Sequence, residues 1–102
     1  MKDKQAYESV CFEVISAAGT AKSFFLEAIE SAKASEPYSE ALDAGYDAFM
    51  NASRAHAKAL SMDAAEELDM GLLLIHAETI LCSAETIWNL AETIISLIEK
   101  TR

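Results

Sequence analysis

Residues that make turns and cross-links are scarce in this sequence. It contains 3 Gly, 1 Pro and 2 Cys among 102 residues, whereas 52% of its residues are apolar. This composition excludes a disordered or loop-rich chain. Cys11 and Cys82 are too few for a disulfide framework. We therefore expect a reducing compartment, and two buried cysteines that act as small hydrophobic side chains.

Positive charge is scarce as well. Eight basic residues against 17 acidic ones give a net charge of −9, which argues against nucleic acid and anionic membranes as partners. No apolar run approaches the ~18 residues of a membrane span, and residues 1–9 lack the apolar core of a signal peptide. The sequence therefore predicts one cytoplasmic domain over residues 1–102, without direct insertion into a membrane.

Apolar residues recur in steps of three and four through nearly the whole chain, which predicts helices. The first helix continues through Gly19, and its predicted buried row is Tyr7, Cys11, Val14, Ala18, Ala21, Phe25, Ala28 and Ala32. A second helix has Pro37 in its first turn, and a third runs from about Met70 to the end. Three helices with short connections predict an all-α, antiparallel up-down-up bundle.

The residues before the third helix contain two different indications of where that helix starts. Asp63 and Glu66 have the spacing of a capping box, in which two side chains satisfy the first free N–H groups of a helix. Gly71 lies farther along and makes the start uncertain.

A seven-residue phrase occurs three times in residues 76–96, as HAETILC, SAETIWN and LAETIIS. On a helix the phrase forms parallel rows. We expect two rows in the packed seam, with Glu and Thr rows outside it: Ala77, Ala84 and Ala91; Leu73, Ile80, Ile87 and Ile94; Glu78, Glu85, Glu92 and Glu99; Thr79, Thr86 and Thr93. His76 lies about 40° around the helix from Ile80, at the edge of the apolar stripe.

The third helix carries more apolar surface than one bundle can bury. Residues 72–75 read LLLI and are apolar on every side, and Ile75 and Cys82 fall on the face that a three-helix bundle exposes to water. A helix that is apolar on every side is normally buried on every side. We therefore expect another chain to cover this face, which would place His76 in a crevice between subunits.

Several chemistries are excluded by spacing. His76 has no Ser or Cys three or four residues away, so its own helix gives it no such nucleophile to activate. Neither His56 nor His76 has an acid three residues before it, as di-metal bundles require, and no glycine-rich phosphate loop is present. Two interpretations of His76 remain open: an ordinary interface or core histidine, or an imidazole that carries a phosphoryl group.

Four stretches resemble the IIA proteins of the lactose/cellobiose (N,N′-diacetylchitobiose) branch of the bacterial phosphotransferase system, from about Glu8 to Lys100. FEVISAAGTAKSFFLEAIESAK is similar to the first helix of the family, including its Ile-x-x-x-Gly-x-Ala-Arg/Lys-Ser core. SEPYSEA stands where the family has Gly-Asp-Phe-x-x-Ala, and Ala55-His56 follows its aromatic residue at the family's spacing. LLLIHA matches the segment around the phosphorylated histidine, which is His76 here.

The resemblance implies a cytosolic homotrimer of three-helix subunits. His76 would take phosphate from phospho-HPr and pass it to a cysteine of a IIB partner, and a membrane IIC component would use it for sugar uptake. Gly19 would let a backbone or the phosphate approach closely, or serve only in packing. Lys22 would supply a cation or simply be solvated. His56 would either assist phosphate transfer or be a histidine at the rim whose hydrogen bonds are satisfied. Ser83 is a small neighbour of the site.

The motif after the histidine departs from the family pattern. The family reads x-Gln-Asp-His-Leu, whereas this chain has Glu78, Thr79 and Ile80 in place of the Gln, Asp and second His. The resemblance implies that the family's Asp binds a metal on the trimer axis, so we expect no metal and no cofactor with Thr79 there. Two functions follow as hypotheses: an active phosphocarrier, or a divergent non-catalytic trimer that acts as a regulatory or protein-binding module.

Overall fold

Three helices form the described part of the chain. The computed structural model describes the backbone at residues 4–66 and 71–102, and the side chains at 5–62 and 71–102. The helices are α1 (Lys4–Lys33), α2 (Ser39–Glu66) and α3 (Leu72–Lys100), in a body of 58 × 17 × 15 Å. These residues contain no strand, so the prediction of an all-α fold with three helices is confirmed.

The buried row of α1 follows the sequence pattern. All eight residues predicted for it are buried, and α1 continues unbroken through Gly19, as expected. Steps of four and three keep these side chains on one side of the helix, where they meet the other two helices.

α1 is also apolar enough to meet a length and composition criterion for a membrane span. The segment Gln5–Lys33 reaches a mean hydropathy of 1.2 over 18 residues, although it contains no uninterrupted apolar run of that length. The core helix of a soluble bundle meets the same criterion. Because the buried row of α1 already packs against α2 and α3, this one marginal helix is weak evidence for insertion.

α1 is the central helix of the bundle, since it packs along both others whereas α2 and α3 touch each other less. The buried residues form three layers. The first layer combines the beginning of α1 with late residues of α2 and the beginning of α3: Tyr7, Val10, Cys11, Val14, Ala55, Ala59, Leu74 and Ala77. The middle layer contains Ala18, Ala21, Phe25, Ala48, Phe49, Ala52, Ala84 and Ala91. The third layer contains Ala28, Ala32 and Ile95.

Aromatic rings fill the middle layer between all three helices. The Trp88 ring of α3 stacks on Phe25 of α1, with centroids 6.1 Å apart. It also meets Tyr46 and Phe49 of α2, each at 5.3 Å between centroids. Pairs at these separations add about 0.5–1.5 kcal/mol beyond the burial of their area. The aromatic rings therefore join α2 to α3 where the two helices otherwise touch little.

α1 ends in a Schellman motif. The Glu36 N–H donates to the Ser31 carbonyl at 2.8 Å, and the Ser35 N–H donates to the Ala32 carbonyl at 3.1 Å. Ser35 has a φ of 60°, the left-handed conformation that this motif requires and that glycine adopts most readily. The chain thus reverses without glycine, at some cost in backbone energy.

The start of α2 differs from the prediction. Leu42 N–H donates to the Tyr38 carbonyl at 3.1 Å, and the helix begins at Ser39. Pro37 therefore lies before the helix, and its predicted place in the first turn is wrong. Because the Tyr38 carbonyl accepts the first helical hydrogen bond, Tyr38 is the N-cap of α2 and Pro37 lies one residue before it.

The start of α3 corrects another prediction. Asp63 and Glu66 fall within α2, which continues through them, so they do not cap the third helix. Their side chains, and Met70 as the expected first residue, lie outside the described residues. α3 begins at Leu72. Its N-cap is Gly71, which has no side chain to accept a hydrogen bond from the first free N–H groups.

The packed side of α3 is rotated relative to the prediction. Ala77, Ala84 and Ala91 are fully buried, as expected. The second predicted seam row is not: Leu73, Ile80 and Ile87 are half-buried, and Ile94 is exposed. Leu74 and Ile95, on the other side of the Ala row, are buried instead. The three half-buried residues still pack against the core from its edge, whereas Trp88, on the Leu74 side, contacts both α1 and α2.

Candidate functional site

His76 lies at the rim of the bundle. It is the fifth residue of α3, and its side chain is exposed. Ala77 beside it is fully buried, whereas Ile75 on its other side is 46% exposed. The helix therefore fixes the backbone at His76 through its packed neighbour and leaves the imidazole open to water and to another molecule.

Gly19 is open within the subunit. A Cβ built on it would meet no atom within 4 Å. No atom from the other described elements approaches the side of Gly19 where a Cβ would lie, so neither packing nor close approach on that side explains the glycine. Its surface is available to a second copy or to a ligand.

Lys22 and Ser83 lie farther along the bundle than His76. Ser83 is one heptad beyond His76, which is about 10.5 Å along the helix axis. Lys22 follows Ala21, which packs in the middle layer with Ala84, whereas the neighbour of His76 packs in the first layer. Within one subunit, the core layers therefore place the backbones of both residues farther along the bundle than His76.

His56 contacts Glu78, a pairing that the sequence did not predict. Its Nε2 lies 2.8 Å from Glu78 Oε2, across the gap between α2 and α3. The His56 and Glu78 side chains are 21% and 33% exposed. Two residues along a helix correspond to 200° of rotation, so Glu78 and His76 point to nearly opposite sides of α3. His56 is thus a satisfied rim histidine, placed on the other side of α3 from His76.

From Leu72 to Leu97, one side of α3, which we call the outer face, carries no charged residue and is open to water. It consists of Leu72, Ile75, Thr79, Cys82, Thr86, Leu90, Thr93 and Leu97, all of them exposed. The exposure predicted for Ile75 and Cys82 is confirmed, whereas the expectation that both cysteines are buried holds only for Cys11. Each Thr hydroxyl donates to the carbonyl four residues earlier, at 3.1–3.2 Å.

A second exposed apolar stripe runs along α1 and was missed in the sequence. Phe12 and Leu26 are 58% and 49% exposed, and Gly19 lies midway between them. The three residues are seven apart, so they share one side of α1. That spacing was the available signal, but the stronger row of Tyr7 to Ala32 obscured it.

No metal site is apparent among the described residues, where no group of three or more His, Cys, Asp or Glu could hold an ion. Thr79 is a poor replacement for a carboxylate ligand. Its hydroxyl is neutral, and its proton is already donated to the Ile75 carbonyl at 3.1 Å. The residue present at this position does not fit the family's metal.

Comparison with known protein families gives a match over most of the chain. The family model for the lactose/cellobiose-specific IIA subunit of the phosphotransferase system matches residues 9–99. No curated protein and no solved structure matches the chain significantly. The matched segment includes most of α1, all of α2 and nearly all of α3, and it contains His76. The chain therefore belongs to the lactose/cellobiose-specific IIA family of the phosphotransferase system.

Proposed function

We propose that the chain is a phosphocarrier for the uptake of a lactose-, cellobiose- or chitobiose-type disaccharide, with His76 as the carrier. The observation that carries this proposal is an exposed imidazole near the start of α3, in a chain that the family matches over residues 9–99. The donor is phospho-HPr, the acceptor is a cysteine of a IIB component, and a IIC component in the membrane uses the phosphate. The protein itself works in the cytoplasm.

The transfer needs one nucleophile and correct positioning. A neutral ring nitrogen of His76 attacks the phosphorus of the donor phosphohistidine, and the donor's N–P bond breaks as the new N–P bond forms. The His76 ring releases one proton in this step, and the donor imidazole takes up one as it leaves. In the second step the thiolate of IIB attacks the same phosphorus, and His76 leaves as neutral imidazole after taking up a proton. Phosphoryl transfer of this kind depends mainly on positioning and charge stabilisation.

The charge around His76 favours a bound phosphate in two ways. His76 is the fifth residue of α3, and the first turn before it contains no acid. Glu78, the nearest acid in the repeat, points to the other side of α3 and is bonded to His56. Further compensation comes from Lys22 and the open backbone at Gly19 of an adjacent subunit.

The subunits are up-down-up bundles that assemble as a homotrimer. The composition of the three core layers supports the up-down-up order, since the first layer combines both early α1 and late α2 residues. The outer face of α3 supports the trimer because its apolar and threonine side chains are exposed without any charge. Exposed contiguous apolar surface of this kind marks an interface. The α1 stripe of Phe12, Gly19 and Leu26 would be covered by the same neighbour.

The trimer holds no metal. Thr79 takes the place of an acidic ligand, and a neutral side chain on the axis also avoids the repulsion that three carboxylates would create without an ion. The carrier therefore functions without a cofactor.

The alternative is a regulatory or protein-binding trimer that no longer carries phosphate. The replacements at Glu78, Thr79 and Ile80 favour it, since each changes the motif that follows the histidine. Incubation with phospho-HPr, followed by mass mapping of the phosphate, separates the two functions. Phosphate on His76 supports the carrier, and its absence supports the regulatory module.

A further inference from the structure

The position of the hydrogen bond between His56 and Glu78 matters for the trimer as well as for the single subunit. Around α3, Glu78 lies about 100° to one side of Thr79, and His76 lies about 60° to the other. The two residues therefore border opposite sides of the outer face. In a closed ring of identical copies, each interface joins one side of a subunit to the opposite side of the next.

It follows that Glu78 of one copy and His76 of the next belong to the same seam. A carboxylate that turned into this seam would repel a phosphate carrying about −1.5 to −2 charges. In the subunit, His56 Nε2 holds the carboxylate at 2.8 Å against α2. The bond is largely shielded from water, which favours its persistence.

We propose that His56 is a positioning residue for phosphate transfer. Its bond to Glu78 holds that carboxylate against α2 and keeps the negative charge away from the phosphate on His76 of the next copy. The inference rests on the proposed phosphocarrier function and on its trimer. His56 does not contact the phosphate; it acts through Glu78.

Three variants separate this role from a simple tie between helices. His56→Ala releases the carboxylate, and phosphate uptake from phospho-HPr should slow by about three- to tenfold at low salt. His56→Gln retains an N–H donor for Glu78 and should stay within about twofold of the wild type. His56→Ala combined with Glu78→Gln removes the charge itself and should restore the rate to nearly that of the wild type.

Salt provides a second measurement that a structural role would not affect. The slowing in His56→Ala should shrink towards the wild-type rate at 1 M salt, where the screening length falls to about 3 Å. Helix content and sedimentation of each variant verify that the fold and assembly are intact.

The outcomes distinguish a failure of the His56 inference from a failure of the carrier function. If His56→Ala is as fast as the wild type, or if Glu78→Gln fails to rescue it, the inference is overturned and the carrier function stands. If the wild type accepts no phosphate at all, the carrier function fails and the inference fails with it.

Discussion

The ring of Phe25 on α1 lies directly against the backbone of Gly45 on α2. A Cβ built at Gly45 would lie 2.7 Å from Cε1 of Phe25, closer than two such carbons can approach. The other side of the contact is fixed as well, because Phe25 stacks on Trp88 of α3. Gly45 therefore permits the close approach of α1 and α2 at the middle of the core.

Gly45→Ala should destabilise the protein by about 1–3 kcal/mol, because the new methyl group must displace a packed ring. The loss should occur although alanine favours a helix by ~1 kcal/mol over glycine. Urea unfolding measures it. Gly19→Ala is the matched control: its Cβ meets open space, so at a dilution that dissociates the assembly it should gain up to ~1 kcal/mol. Equal stabilities of the two variants would refute the proposed contact.

Ser35→Gly should stabilise the subunit by about 1 kcal/mol. Ser35 has a φ of 60°, which a residue with a Cβ adopts only at a cost, whereas glycine adopts it freely. Ser35→Ala serves as the comparison, since it retains the Cβ and should gain nothing. Thermal and urea unfolding should find Ser35→Gly more stable than the wild type and Ser35→Ala. A loss of stability in Ser35→Gly would contradict the prediction, because the Ser35 side chain would then contribute more than its positive φ costs.

Thr86→Lys should break the trimer, because Thr86 lies in the uncharged outer face and a charge there would be buried between copies. Ala57→Lys adds the same charge at an exposed position of α2 and should leave the trimer intact. Sedimentation at micromolar concentration should give three times the 11.1 kDa chain mass for the wild type and Ala57→Lys, and the chain mass for Thr86→Lys. A wild-type protein that sediments as a monomer contradicts the assembly.

Removal of metal ions should change nothing. With Thr79 in place of an acidic ligand, the trimer has no site whose strength depends on a divalent ion. Unfolding curves with and without a chelator should coincide, and elemental analysis should find no stoichiometric metal. A sharp loss of stability in chelator would contradict the prediction.

Periodicity predicted those parts of the fold that depend on one helix alone. The row from Tyr7 to Ala32 and the Ala row of α3 followed from spacing, because each helix must turn one side inward. The choice of Leu74 over Leu73 depended on where α1 and α2 sit around α3. That relation involves three helices at once, and the sequence pattern of one helix does not contain it.

In the candidate site, too, the properties of one helix could be predicted, whereas those that depend on two helices could not. The rim position of His76 followed from its angle to Ile80, a property of one helix. The partner of His56 did not, because a bond between residues 56 and 78 depends on the relative height and rotation of α2 and α3. The place of Pro37 was wrong for a local reason: the chain takes its left-handed residue at Ser35 and begins α2 only after Tyr38.

The central claim is that His76 carries phosphate, and phosphate mapping after incubation with phospho-HPr tests it most directly. The wild type should gain one phosphate on His76. His76→Gln, which keeps the size and some hydrogen bonding but lacks the nucleophile, should gain none while its helix content and sedimentation stay unchanged, and Lys22→Ala should only be slower. Phosphate on His56, phosphate on the His76→Gln protein, or a wild type that accepts none would contradict the account.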